Sequence, residues 1–517
     1  MLASHMGICQ QSQTDTPGTY NILTFGAKAD GKTVNTIAIQ NTINECRGHG
    51  GGTIIIPAGI FVTGTVRLYS NMSIYLSAGA VLTGSTDNKD YLYQKEFGFS
   101  GPGAGVKTGI IVASKAQNVS ITGFGTIDGN GTSSMHMDSL QQGSDFDKKY
   151  TRQGSDYMNA DYGREDGPVL WKGSYEERPG VMVIFSECKN VIVNNIKLEQ
   201  SPNWTIAFLS SDEIKVAGIT IDNNMNIPNS DGIDMYDSRN ITISNCVINA
   251  GDDAIAVVSS SNITATNCML HSRSCGIRVG YNVFNNNNSG NLLFNNITIY
   301  DSNRGIGIFQ RQKGNMERMI FSNIIIDTRL HSGQWWGHGE PIHISSVPGL
   351  GSKETGTISN VRFSNISASS ESGIVLYAAS KDLIKDVYFD HINLTIKKSA
   401  LEKGYGGNFD LRPVNNIALG IFNHNISALY ARFVTNLNIR NLDVTWNPGL
   451  PSYFDHAIAC DNSTGITIDG VHESLANAGA GGNAATVYLS NDTTVSVEHI
   501  SSTDKNKKLV SDAVRDK

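Results

Sequence analysis

Short β-branched runs recur along this chain at steps of 22 to 29 residues, and that period restricts the fold more than any other feature. The runs include Asn190–Leu198, Ile214–Ile221, Asn240–Ile248, Asn262–Leu270, Asn291–Ile299 and Met319–Ile326. Later ones start near Val361, Val387, Leu437, Ile466 and Val495. One turn position repeats within them, at Asn195, Gly218, Asn245, Asn267, Asn296 and Asn323. Asn and Gly tolerate the left-handed or bridge backbone geometry that other residues resist. Alternation of apolar and polar residues gives each strand one inward face. A step of this length fits one solenoid coil of about three short strands and three turns, whereas a propeller blade needs roughly 40 residues. The expected fold is therefore all-β: a single-stranded, right-handed parallel β-helix.

Length alone would suggest several domains, but a solenoid grows without starting a new core. We expect one catalytic domain over residues 20–517. The amphipathic stretch Thr36–Cys46 is expected to form a helix that caps the open N-terminal end. Polar sequence interrupts the repeat near 130–178 and again near 400–435, and both stretches are expected to be inserted loops. Residues 1–19 read as a tag remnant followed by the polar start of a mature chain, from which an export signal has been removed. The expected location is secreted, periplasmic or at the cell surface.

A net charge of −7 argues against a nucleic-acid partner and gives no long-range pull on a polyanion. No apolar run approaches the ~18 residues that span a bilayer. The seven cysteines show no paired metal-ligand spacing, and Cys188, Cys246 and Cys268 lie within strand-like runs, as buried small hydrophobes do. No cofactor or metal is expected, and the chain is expected to be a monomer.

Two segments carry the chemistry, Asn229-Ser230-Asp231-Gly232-Ile233-Asp234 and Gly251-Asp252-Asp253-Ala254-Ile255-Ala256. Asp231 and Asp252 are 21 residues apart, about one coil, which returns the chain to the same side displaced by ~4.8 Å. Three carboxylates then crowd one patch. Their repulsion raises at least one pKa, so one carboxyl keeps its proton as general acid while others stay ionised as base. Acetal hydrolysis needs that combination. Either motif alone reads as an ordinary turn. The two together, one coil apart, favour a site, with calcium binding as an alternative use of the same oxygens.

These residues resemble glycoside hydrolase family 28, the polygalacturonase and rhamnogalacturonan hydrolase family, with its pectin-lyase-like solenoid. The likeness runs from Tyr20 to about Asp327. It includes the stretch starting at Asn21, Gly50-Gly-Gly-Thr, Gly125-Thr-Ile-Asp-Gly, Arg178-Pro and Ser201-Pro-Asn-Trp. It implies an inverting hydrolysis in which Asp252 donates the proton while Asp231 and Asp253 hold and activate water. The substrate would be a plant cell-wall type polysaccharide or oligosaccharide.

The chain departs from polygalacturonases on the substrate side. Cys275 stands where they have the histidine of Gly-His-Gly, and Gly307 and Phe309 stand where Arg-Ile-Lys clamps a galacturonate carboxylate. Without that clamp a uronate loses its charge-assisted partners. A pectic, rhamnogalacturonan-like substrate is thus expected, with Arg278, Arg304 or Arg311 as a relocated cation. The expected substrate contacts are Asn229, Cys275, Arg278, Arg304, Gln310 and Arg311, together with Trp335, Trp336, His338 and Glu340 of the segment Gly333–His343. Adjacent tryptophans there suit a sugar-stacking wall. Trp204 is expected to be core. A β-helix lyase and a non-catalytic glycan-binding solenoid are the alternative functions.

Overall fold

A computed structural model of the chain describes residues 18–98, 106–141, 148–158, 167–174, 177–281, 288–475 and 484–513. Residues 1–17 of the expected tail, and Cys9 with them, lie outside the described residues.

The chain winds as a right-handed parallel β-helix. One face is a 14-stranded parallel sheet running from Val66–Leu68 to Val510–Asp512. The other two faces start as separate short strands, such as Asp212–Ala217 and Thr220–Asp222. From Ser261–Ser272 onward they merge into one long strand per coil, so the expected three strands become two. The repeated turn is then a bend inside a continuous ladder. Its residues take positive φ as expected: 57° at Asn195, 63° at Gly218 and 55° at Asn245, Asn296 and Asn323. Side-chain amides link successive coils there, with Asn296 Nδ2 donating to Asn267 Oδ1 at 2.7 Å and Asn365 Nδ2 to Asn323 Oδ1 at 2.6 Å.

Inward positions stack from coil to coil. Phe294, Phe321, Phe363 and Phe389 form a column with ring centroids 5.1, 5.0 and 4.9 Å apart, each pair contributing ~0.5–1.5 kcal/mol beyond its burial. The helix Thr36–Gly48 buries Ile39, Ile43 and Cys46 in the same core and so covers its N-terminal end. The six described cysteines are free and buried. No helix among the described residues is long and apolar enough to cross a membrane.

Both interruptions of the repeat are excursions from the coil, each with an antiparallel hairpin. The first pairs Met135–Leu140 with Val169–Trp171, and the second pairs Asn408–Asp410 with Ile421–Asn423. The second is shorter than expected, because Leu429–Arg432 already pairs in parallel with Ile374–Ala378 in the 14-stranded sheet. The two excursions hold each other. Arg152 N donates to Asn408 Oδ1 at 2.7 Å, Gln153 Nε2 donates to the Gly406 carbonyl at 2.8 Å, and the rings of Tyr157 and Tyr405 meet edge to face at 5.7 Å.

Candidate active site

The site grows from outward positions on the 14-stranded sheet. In-register pairing places Ala207, Asp234, Ala256, Arg278, Gly307 and His343 in one column. Arg278 lies between two small neighbours, Ala256 and Gly307, which leave its long side chain room to lie flat. It reaches back over Ala256 to the carboxylates. Its Nε donates to Asp253 Oδ2, and its Nη2 is 3.8 Å from Asp234 Oδ1 and 4.0 Å from Asp231 Oδ2. Nη1 donates to the Gly280 carbonyl at 2.7 Å, which fixes the guanidinium.

Asp231, Asp252 and Asp253 come together as expected, each offering an oxygen within 4.8 Å of the others. All three are buried. Asp253 Oδ1 also accepts from Cys275 N at 3.1 Å. Asn229 Nδ2 lies 3.5 Å from Asp252 Oδ2. Arg178 positions Asn229 in turn: Nη1 donates to Asn229 Oδ1 at 3.3 Å while Nε donates to the Pro202 carbonyl at 2.6 Å and Nη2 to the Pro228 carbonyl. The sequence segments around Arg178, Ser201 and Asn229 are thus one bracing unit behind the aspartates.

Burial, then the nearby Asp253 charge, pushes the Asp252 carboxyl up to about 7, against the opposing pull of Arg278. Burial and the neighbouring aspartates also push Asp231 well above the usual carboxylate range. Burial does the same for Asp234, neither of whose oxygens has a hydrogen-bond partner in the protein. Such groups titrate as a set, so the cluster carries protons at neutral pH. Of the two residues expected to activate water, Asp253 receives the Arg278 Nε directly, while Asp231 Oδ2 lies 4.0 Å from Nη2. The oxygens are close enough to share a cation, but the Arg278 guanidinium already lies against Asp231 and Asp253 and supplies the positive charge there.

Two adjoining cavities form the cleft. The smaller, about 270 Å³, holds the aspartates with Arg278, Cys275, Arg304 and Phe309. The larger, about 520 Å³, is built mostly from the inserted excursions and Trp335. Asn229, Asp252, Trp336 and Arg412 line both. Four expected substrate contacts line neither. Gln310 donates to the Gly314 carbonyl, and Arg311 donates to the Ser345 and Leu411 carbonyls. His338 contacts the Tyr405 carbonyl, and Glu340 receives Arg304 at 3.0 Å and His343 at 3.2 Å. All four are buried and make hydrogen bonds within the protein, and His338 and Glu340 brace the loop that carries Trp335 and Trp336.

Other residues in or beside the smaller cavity have no role in the sequence reading. Asp234 and Tyr236 could have been found, because alternation in the strand Ile233–Tyr236 turns both outward beside Asp231. Trp204, expected in the core, is buried but stacks on Tyr236 at 5.3 Å and lines the smaller cavity. Tyr281 meets Trp336 edge to face at 5.6 Å. Trp171 and Arg412 sit on excursions that lack the repeat, so no period marks them.

The family model of glycosyl hydrolases family 28 matches residues 165–403. An exo-poly-alpha-D-galacturonosidase of Dickeya chrysanthemi is 30% identical over 242 residues, 44% of this chain and 40% of that protein. A probable polygalacturonase of Vitis vinifera is 31% identical over 221 residues, 41% of this chain and 38% of that protein. The chain thus matches about two fifths of the length of these curated relatives. Among solved structures, the family 28 exopolygalacturonase of Yersinia enterocolitica superposes with a TM-score of 0.59 at 17% identity, over 93% of this chain and 79% of that one, a likeness of fold. The stretch that matches the family model, residues 165–403, holds Asp231, Asp252, Asp253 and Arg278.

Proposed function

We propose that this chain hydrolyses glycosidic bonds of a pectic polysaccharide or oligosaccharide by single displacement, with inversion at the anomeric carbon. Asp252 gives its proton to the glycosidic oxygen. Asp253, with Asp231 beside it, orients a water and takes its proton as the water attacks the anomeric carbon. The observation that carries the reading is the place of Asp252: it fronts both cavities, and its carboxyl, pushed up to about 7, keeps a proton at mildly acid pH.

The closest carboxylate oxygens are within 4.8 Å, tighter than the ~6.5–9.5 Å between carboxyl groups of most inverting pairs. Inversion therefore rests on the family likeness and on the third carboxylate, which leaves one more oxygen pair to hold water when Asp252 is protonated. Proton NMR of the first-formed product decides it. The anomer opposite to the substrate's supports the reading, and the same anomer overturns it. Absorbance of an unsaturated product in the ultraviolet would instead mark a lyase.

We propose a rhamnogalacturonan-like substrate over plain polygalacturonan. The cations in the smaller cavity are already engaged, Arg278 by Asp253, Arg304 by Glu340 and Arg412 by Asp410, and Phe309 presents an apolar face there. An exported location fits a polymeric substrate of this kind.

A further inference from the structure

We propose that substrate crosses the cleft in one direction, with the sugar under attack in the aspartate cavity and an uncharged leaving group with a broad apolar face in the larger, excursion-built cavity. This rests on the hydrolase reading above and adds to it the direction of the chain and the chemistry of its departing side.

The direction follows from which carboxylates line which cavity. Asp252 lines both, so the oxygen it protonates lies at their junction. Asp231 and Asp253 line only the smaller one. The water they hold must reach the anomeric carbon from the side opposite the leaving group. The sugar whose C1–O bond breaks therefore sits with Asp231 and Asp253. The alcohol that departs with the Asp252 proton sits on the other side. The new C1–O bond comes from water, whose proton goes to Asp253.

The chemistry of the departing side follows from its walls. Trp171, Trp335 and Trp336, three of the five tryptophans of the chain, line the larger cavity. Among the described residues its charged side chains are Asp252 and Arg412. Arg412 is committed: Nε and Nη2 each donate to Asp410 at 2.9 Å, and Nη2 donates to the Trp335 carbonyl at 3.0 Å. A uronate placed there would meet Asp252 and a guanidinium already paired. An apolar sugar face would meet indole rings, and at the rim Leu350 and Ile417, which are 70% and 56% exposed without a ligand. At about 520 Å³ against about 270 Å³, this side also has room for a larger group than the attacked sugar.

Tryptophan fluorescence of the full chain tests this without turnover, since free rhamnose and free galacturonate have no glycosidic bond to cleave. Rhamnose, a neutral deoxysugar, should bind at least roughly fivefold more tightly than galacturonate, a difference of ~1 kcal/mol. Ile417→Asp and Leu350→Asp replace exposed residues outside the hydrophobic core, and each should weaken rhamnose roughly threefold or more, about 0.7 kcal/mol. With polymer, both should raise KM more than they lower kcat. Equal or tighter galacturonate binding, or unchanged rhamnose binding in both variants, overturns the proposal while leaving the hydrolase reading intact. Failure of the wild-type protein to cleave any polysaccharide, with rhamnose still bound, instead overturns the hydrolase reading and the direction that depends on it.

Discussion

The ring of Phe309 fills the space that any side chain on Gly307 would need. A Cβ at position 307 would come within 2.4 Å of Phe309 Cε2 and 3.1 Å of Cys275 Sγ. Cys275, Gly307 and Phe309 are therefore packed as one unit. With no side chain at 307, Phe309 folds over the strand, between the guanidinium groups of Arg304 and Arg311 at 5.0 and 5.2 Å from its centroid. Restoring a cation at 307 alone would displace the phenyl ring.

That arrangement predicts poor hydrolysis of unsubstituted polygalacturonan. A charge-assisted hydrogen bond contributes roughly 1.5–3 kcal/mol. Two that are missing should cost on the order of a hundredfold or more in kcat/KM, at ~1.4 kcal/mol per factor of ten. Arg278 and Arg304, the cations that could replace them, are tied to Asp253 and Glu340. Initial rates on polygalacturonan and rhamnogalacturonan at equal concentration check it, and faster cleavage of polygalacturonan would refute it.

Asp252→Asn should nearly abolish turnover and leave binding largely intact. The amide matches the carboxyl in shape and keeps the contact with Asn229, but it has no acidic proton to give. Kinetics and ligand affinity measured on the same preparation separate the two effects. Activity within a few-fold of wild type would remove Asp252 from its role.

The same substitution should alter stability in a pH-dependent way. The folded pKa of Asp252, about 7, lies above its ordinary value of 3.8, so the folded state binds more protons than the unfolded chain between those values. Stability from this group is fully present below about pH 4 and is lost as pH rises toward 7. Asparagine does not titrate, so the variant should melt at a higher temperature than wild type at pH 8. The difference should shrink as pH falls toward 4. Thermal melts at both pH values test it, and a constant difference would mean that Asp252 is not held against its charge.

The fold was legible because its signal repeats. Each coil restates the alternation of inward apolar residues and the Asn or Gly at one bend, so an error at one rung is corrected by the next. Asp231, Asp252 and Asp253 were legible for the same reason, since one coil of separation places them side by side. The helix was read to within two residues, as Thr36–Cys46 against Thr36–Gly48. The excursions have no period, so nothing in the sequence showed that Trp171 and Arg412 reach the cleft. The polar residues of Gly333–His343 misled for a different reason. His338 and Glu340 have the chemistry of sugar ligands, but they are satisfied inside the protein, by Tyr405 and Arg304, and sequence does not reveal which partner a buried polar group has found.

Arg278 should set the pH range in which the enzyme works. Its guanidinium favours the ionised forms of both Asp252 and Asp231, opposing the burial that favours their protons. In the wild type, activity should fall on the alkaline side near pH 7 as Asp252 loses the proton it must donate, and on the acid side as Asp231 becomes neutral. Arg278→Gln removes the opposing charge, so both limbs should move to higher pH. At pH 5 the variant should lose more activity than at pH 7, because Asp231 without the guanidinium holds its proton more strongly. Arg278→Lys should recover part of the shift, since an ammonium keeps the charge but not the fork that spans Asp253, Asp234 and Asp231. Loss of packing alone would lower the rate equally at every pH. The deciding result is the pH profile of kcat/KM: a lower curve with unmoved limbs would show that Arg278 only holds the fold, whereas displaced limbs, partly restored by lysine, would show that it tunes the acid and the base.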